Sequence, residues 1–306
     1  MPTAFIIGAT GFVGGGIARH LISCGWQVRG LARSPTALKQ LQDAGIDPIV
    51  GNLEHEFDAV LSASRAHDVT LYAAQIDPAA EQMTVARLLS GLADSRRNFI
   101  FLSGSGVLCQ RTKGAWSADS FSEAEAFQPE PLAEQRAATE RLVQAASKRG
   151  LRAMVIRPPQ IWGPGDHGHV SMVYRSVSAT GAACYVGNGL ATYGHVHIED
   201  VATLFVRATE VGEPGALYHG VAGEVPNRWI AEAVARDLGV PLRSISMEEA
   251  AAVWGDFGAL IMSVSSRIRD ASTRAALRWS PRYADMLSEI GEPRLRALAA
   301  NVTTKE

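Results

Sequence analysis

Gly8-Ala9-Thr10-Gly11-Phe12-Val13-Gly14 decides the fold of this chain. Before it stands a short apolar run, residues 5–8 (FIIG), with the character of a buried strand. After it, residues 14–24 carry Ile17, Leu21 and Ile22 at helical spacing and stop at Gly25. Each glycine of a strand-to-helix turn has its own task. Gly8 permits the tight turn, Gly11 lets backbone approach a pyrophosphate, and Gly14 lets the helix pack closely on the strand. The helix N-terminus then offers free N–H groups and a positive dipole end. Gly8, Thr10, Gly11, Phe12, Val13 and Gly14 therefore form a candidate cradle for a dinucleotide.

Outward from the loop, strands and helices alternate. Strand patterns occupy residues 27–32, 48–53, 69–74, 99–103 and 153–157, and helical patterns residues 35–44, 82–92 and 132–149. Such alternation implies parallel strands with crossover helices. After Arg157, prolines and glycines at 158, 159, 163, 164 and 165 break the pattern. Helices are expected near 170–180, 200–210, 228–238 and 248–254, with short strands such as 216–219 between them. The expected class is α/β: a Rossmann-type doubly wound parallel sheet with a smaller C-terminal α+β substrate domain. Residues 1–165 would bind the nucleotide, a segment near 190–222 would return to that domain, and 166–306 would mainly form the substrate region. The polar tail from residue 301 is expected to be disordered.

The second strand pattern decides the cofactor. An acid at its end would hold ribose hydroxyls, but the sequence there is Gly30-Leu31-Ala32-Arg33-Ser34. Arg33 is placed to meet a 2′-phosphate bidentately, with Ser34 as a neighbouring donor. NADP(H) is therefore the expected cofactor. The alternative is that Arg33 is a solvated surface charge.

Bulk properties narrow the partners. The chain has 306 residues, 47% hydrophobic, and a net charge of −2 with both signs interspersed. That balance gives no footprint for nucleic acid or a charged membrane surface. No apolar run approaches the ~20 residues of a membrane span, and residues 3–8 are too short for a signal segment. A cytoplasmic protein is expected. Cys24, Cys109 and Cys184 are isolated, without metal-ligand spacing, and read as small buried hydrophobes.

Several ordered motifs resemble the extended and atypical short-chain dehydrogenases/reductases, the NAD-dependent epimerase/dehydratase family. They are the Gly-x-x-Gly-x-x-Gly spacing, Arg157-Pro158-Pro159-Gln160-Ile161-Trp162-Gly163-Pro164-Gly165-Asp166, His197-Ile198-Glu199-Asp200-Val201-Ala202 and Leu277-Arg278-Trp279-Ser280-Pro281. Asn52 stands in Gly51-Asn52-Leu53 where that family usually has Asp. The resemblance implies that Asn52 and Leu53 flank the adenine and that Ala73, Ala74 and Gln75 line the nucleotide groove. Pro158 and its neighbours would lie near the nicotinamide, and Leu102, at the end of the fifth strand pattern, is a further candidate for cofactor contact. The resemblance also makes a homodimer possible through the helix at 132–149, with Leu142 and Val143 as contacts.

One part of that resemblance fails. The family's usual chemistry needs Tyr-x-x-x-Lys on one helix face, the Lys lowering the Tyr pKa so that the phenol passes a proton. The four lysines are Lys39, Lys113, Lys148 and Lys305, and the residues four before them are Pro35, Cys109, Gln144 and Asn301. Leu132 falls at the Tyr position and Arg136 at the Lys position. Arg136 could hold ribose hydroxyls and favour an oxyanion, but cannot act as a general acid. It could instead pair with Glu140 on the helix surface. Gly104 falls at the usual hydroxyl position, flanked by Ser103 and Ser105, either of which could bond a substrate carbonyl. His167 is the best suited acid by its ordinary titration range. His169, Tyr174, Tyr193, His195 and His197 are further donors. No metal site is suggested.

The leading expectation is an NADPH-dependent oxidoreductase reducing a small carbonyl, imine or activated alkene. An epimerase, dehydratase or non-redox lyase that retains the cofactor is the second. The third is an NADP(H) sensor that binds a protein partner.

Overall fold

A computed structural model of the chain describes residues 1–165 and 168–300. The first strand, β1 (Thr3–Ile7), explains the layering. Its side chains alternate between faces. Ala4 and Ile6 join one apolar core with Ile17, Ala18 and Leu21 of helix α1 (Phe12–Ser23), whereas Phe5 and Ile7 join another on the opposite face. A strand buried on both faces belongs inside a parallel sheet.

The remaining strands of that sheet are β2 (Gln27–Ala32), β3 (Asp47–Val50), β4 (Val69–Tyr72), β5 (Asn98–Leu102) and β6 (Arg152–Arg157). Helices α2 (Pro35–Asp43), α3 (Phe57–Ala66), α4 (Pro78–Gly91) and α5 (Glu134–Ala145) connect them. All pair in parallel, in the order β3-β2-β1-β4-β5-β6, the doubly wound order with its reversal between β1 and β4. Helices α3, α4 and α5 cover the face of Phe5 and Ile7 through Val60, Val85, Leu88 and Val143.

Beyond β6 come β7 (Gln160–Trp162), α6 (His169–Thr180), β8 (Ala183–Val186), β9 (Thr192–His197), α7 (Ile198–Val211), β10 (Leu217–His219), β11 (Gly223–Pro226), α8 (Asn227–Leu238), β12 (Leu242–Ile245), α9 (Met247–Ile261), α10 (Ala271–Leu277) and α11 (Pro293–Ala300). Strand β10 extends the large sheet beside β6, and α7 packs on α1. Strands β7, β9 and β11 form a three-stranded sheet, and β8 and β12 a pair. A separate apolar core gathers around α6, α8 and α9, with Trp162, Tyr174, Tyr185 and Ile230 buried in it.

Three local differences from the sequence expectation have physical causes. Helix α3 carries no capping side chain at its start, and its buried stripe is partly Ala63 and Ser64, so apolar periodicity does not reveal it. Helix α4 begins at Pro78, four residues ahead of the apolar pattern, because Asp77 caps it by accepting from Ala79 and Ala80 N–H. The stretch expected as one helix over 132–149 is a 3-10 turn (Pro131–Ala133), α5, and a second 3-10 turn (Ala146–Arg149). Two side chains are also placed differently. Val143 is fully buried against the sheet, so it is not a dimer contact; Leu142 is 39% exposed in a shallow groove between α4 and α5. Cys24 is exposed at the end of α1, while Cys109 and Cys184 are buried. The expected disordered tail from 301 lies outside the described residues. No helix among the described residues is long and apolar enough to cross a membrane.

Candidate functional site

A cleft of about 930 Å³ opens over the C-terminal ends of the parallel strands. Its walls follow strand ends one after another: Gly8 after β1, Arg33 after β2, Asn52 beyond β3, Ala73 after β4, Ser103 after β5 and Pro158 after β6. Ligands of open α/β sheets lie in such a crevice, at the reversal of strand order.

The glycine turn is closed by its own geometry. Gly8 has φ +97°, and a side chain there would meet the backbone of Ala73 at 2.6 Å. A side chain on Gly14 would lie 2.2 Å from the Gly8 carbonyl. Both positions need hydrogen, the first for conformation and space, the second for space. No side chain caps the N-terminus of α1, and its first turn holds no acid. Its unclaimed N–H groups and positive dipole end face the cleft beside Gly11, Phe12 and Val13. Gln40 Nε2 donates to the Thr10 carbonyl at 3.0 Å and ties the loop to α2.

Of the sequence-derived cofactor positions, Gly8, Thr10, Gly11, Phe12, Val13, Gly14, Arg33, Asn52, Leu53, Ala73, Ala74, Gln75, Leu102 and Pro158 line the cleft. Arg33 is exposed and has no ion pair among the described residues. Asn52 Oδ1 accepts from Glu54 N–H (2.7 Å) and from His55 N–H (3.4 Å), which leaves its amide N–H groups as donors. Ser34 is elsewhere. Its Oγ accepts from Ala37 N–H at 3.1 Å and caps α2, so it does not line the cleft.

Arg136 also lies apart from the cleft lining. It donates to the Glu81 carboxylate at 2.8 Å and to the Leu102 carbonyl at 3.3 Å, and so joins α5 to α4 and β5. Burial holds the Glu81 carboxyl above the ordinary range, and Arg136 pulls it back. The expected surface pair of Arg136 with Glu140 does not form. Leu132 occupies the 3-10 turn and is 51% exposed.

Ser103 does line the cleft, but its hydroxyl faces inward, donating to Glu140 Oε1 at 2.5 Å. Arg157 grips the same carboxylate, with Nε 3.0 Å from Oε1 and a second contact to Oε2. Both side chains of this pair are 3% exposed. Arg157 Nη1 donates to His219 Nε2 at 3.2 Å, so His219 Nδ1–H donates to the Arg269 carbonyl at 3.0 Å. Burial and then the Arg157 charge push the His219 pKa down. Sequence reading missed Glu81, Glu140 and His219 as parts of this region.

Ser105 sits below the cleft, in a buried cluster. Ser266 Oγ is 2.7 Å from its carbonyl and 2.8 Å from its hydroxyl, and the Tyr193 hydroxyl bonds both serines. The other donors are likewise engaged elsewhere. Tyr174 donates to Asp237 at 2.6 Å. His197 accepts from Glu199 N–H and caps α7, its ring between Trp162 and Tyr283. His169 and His195 are buried against Tyr193 and Trp162, and burial lowers the pKa of each to about 4. None of these lines the cleft. His167 lies outside the described residues. Among the described residues no group of three or more His, Cys, Asp or Glu could hold a metal.

Comparison with known proteins agrees with this architecture. The model of the NAD dependent epimerase/dehydratase family matches residues 4–219. An uncharacterised protein of Schizosaccharomyces pombe is 31% identical over 299 residues, covering 94% of this chain and 97% of that relative. A 2-alkyl-3-oxoalkanoate reductase of Stenotrophomonas maltophilia is 28% identical over 234 residues, covering 72% and 69%. The dTDP-glucose 4,6-dehydratase of Bacillus anthracis, solved with NAD, superposes with a TM-score of 0.75 at 14% identity, over 98% of this chain and 96% of the other. The chain belongs to the NAD-dependent epimerase/dehydratase family.

Proposed function

We propose that this protein is an NADPH-dependent oxidoreductase that reduces a small carbonyl or a related C=N or C=C compound. The observation that carries the cofactor half is Arg33, an exposed guanidinium at the rim of the cleft, one residue past β2, with no ion pair among the described residues. A planar fork of donors there matches a 2′-phosphate. The cleft suits a dinucleotide in its parts: two glycines that admit no side chain, an uncapped helix end for the pyrophosphate, and Asn52 with free amide donors for the adenine side. When bound, a reduced nicotinamide supplies hydride.

The chain's own residues hold and shield. Gly8, Gly11 and the first turn of α1 bind the pyrophosphate, Arg33 binds the ribose phosphate, and Pro158, Pro159 and Ile161 exclude water from the far end. Support for reductive chemistry comes from relatives named for it, such as the Stenotrophomonas reductase. The test is equilibrium binding. NADPH should bind more tightly than NADH, and Arg33→Ala should weaken NADPH about 10- to 100-fold while sparing NADH, the worth of one or two charge-assisted hydrogen bonds. Equal affinities for both cofactors in both proteins would reject NADP(H).

A further inference from the structure

The far end of the cleft has an unusual polarity for a site that would make an alcohol. Hydride addition to a ketone builds negative charge on oxygen, and such a site needs donors and a proton source. Here one hydroxyl that lines the cleft, Ser103, donates its hydrogen bond inward to Glu140 rather than into the cleft. Arg157 holds the Glu140 carboxylate from its other side, and the carboxylate oxygen accepts in both contacts, so Ser103 is the donor in its bond. What Ser103 can turn toward the cleft is a lone pair, enriched by the carboxylate behind it. The neighbouring position, Gly104, offers no side chain. The Tyr position is Leu132, and Arg136 is committed to Glu81 and Leu102. Among the described residues, no acidic side chain capable of delivering a proton stands at this end.

We infer that the substrate is a protonated imine, and that Ser103 is the catalytic residue that accepts the hydrogen bond of its N–H. This rests on the NADPH-dependent reductase reading and narrows its C=O, C=N and C=C alternatives to one. The balance closes without an acid. The imine carbon accepts a hydride from a dihydronicotinamide, the C=N pair moves onto nitrogen, and the positive charge is cancelled. The product is a neutral amine that keeps the proton its nitrogen already carried. An alkoxide in the same place would face the Ser103 lone pair. An iminium N–H would donate to it.

The experiment uses the whole chain and two ring-matched probes, methylpyrroline in its protonated form and cyclopentanone. Calorimetry on the NADP⁺-loaded protein reads their binding, and NADPH oxidation reads their turnover. The protonated imine should bind and react at least about tenfold better than the ketone, the worth of one hydrogen bond to a charged donor. Ser103→Ala leaves the Glu140–Arg157 pair intact and should erase that preference in binding as well as in turnover. A ketone handled as well as the imine, a preference that survives Ser103→Ala, or binding of neither probe would each overturn the inference. So would efficient ketone reduction that His167→Gln abolishes. A parallel NADPH titration by nicotinamide fluorescence separates the two levels. Retained cofactor binding without an imine preference rejects the substrate alone, and lost cofactor binding rejects both.

Discussion

The two halves of the cleft are built by different means. The half proposed to take pyrophosphate and adenine is backbone and near neighbours: a glycine turn, an uncapped helix end, Arg33 one residue past its strand, and an Asn52 turn closed within three residues. The half proposed to take the nicotinamide is side chains from distant segments. Ser103 stands just past β5, Glu140, Arg157 and His219 come from α5, β6 and β10, and the four hold one another in the interior. Backbone recognition fixes what can bind. A side-chain lattice fixes which way a hydroxyl points, and thus which chemistry is offered.

Truncation should cost very differently in the two halves. Glu140→Ala strands the Arg157 guanidinium at 3% exposure, and removing one partner of a buried pair costs about 3–5 kcal/mol. Arg33→Ala removes a solvated charge and should change stability by less than about 0.5 kcal/mol. Urea titration of both variants checks this. Similar small losses in both would mean that the Ser103–Glu140–Arg157 lattice does not hold the site together.

This difference also explains what the sequence made legible. The turn at Gly8 to Gly14, β2 and the position of Arg33 at its end follow from residues adjacent in the chain. Partners of Arg136 do not. Spacing alone suggests Glu140, four residues on, yet Arg136 pairs with Glu81, and Glu140 pairs with Arg157. Both real pairs are set by how α4 and β6 dock against α5, which local pattern cannot report. The direction of the Ser103 hydroxyl is hidden for the same reason. Strands β7, β8, β11 and β12 escaped because each is only three or four residues long and sits among glycines and prolines, and β9 because its six residues, TYGHVH, mix Gly194 and polar side chains into a buried strand. The histidines of β9 were legible as residues, but their burial was not.

Buried His169 of α6 and His195 of β9 provide a pH test that spares the adenine half. Burial lowers His169 and His195 from about 6.5 to about 4. Between those values the unfolded chain binds protons that the folded chain refuses, so stability is full above pH 6.5 and falls as pH drops toward 4. The loss should reach on the order of 3 kcal/mol for each histidine at the bottom of that window. Denaturant midpoints across pH 4 to 7 read it, and His195→Asn should flatten the slope. An unchanged slope would mean that His195 protonates in place, as an accessible group would.

The smallest structural effect is expected at Gly104, where the two halves can be made more alike. Its φ of −170° is ordinary extended backbone, and a side chain there would come no closer than 3.8 Å to another residue, the Pro158 carbonyl. Gly104→Ser should therefore fold with a stability change within about 1 kcal/mol, in the direction of a small gain from the stiffer unfolded chain. A hydroxyl at this cleft-lining position would bring a proton that Glu140, already held by Ser103 and Arg157, does not claim. NADPH affinity should not move. Ketone turnover should rise relative to imine turnover, because an oxyanion would then meet a donor as well as a lone pair. If the variant folds, binds NADPH and leaves that ratio where it was, the missing donor is not what sets the chemistry of this end.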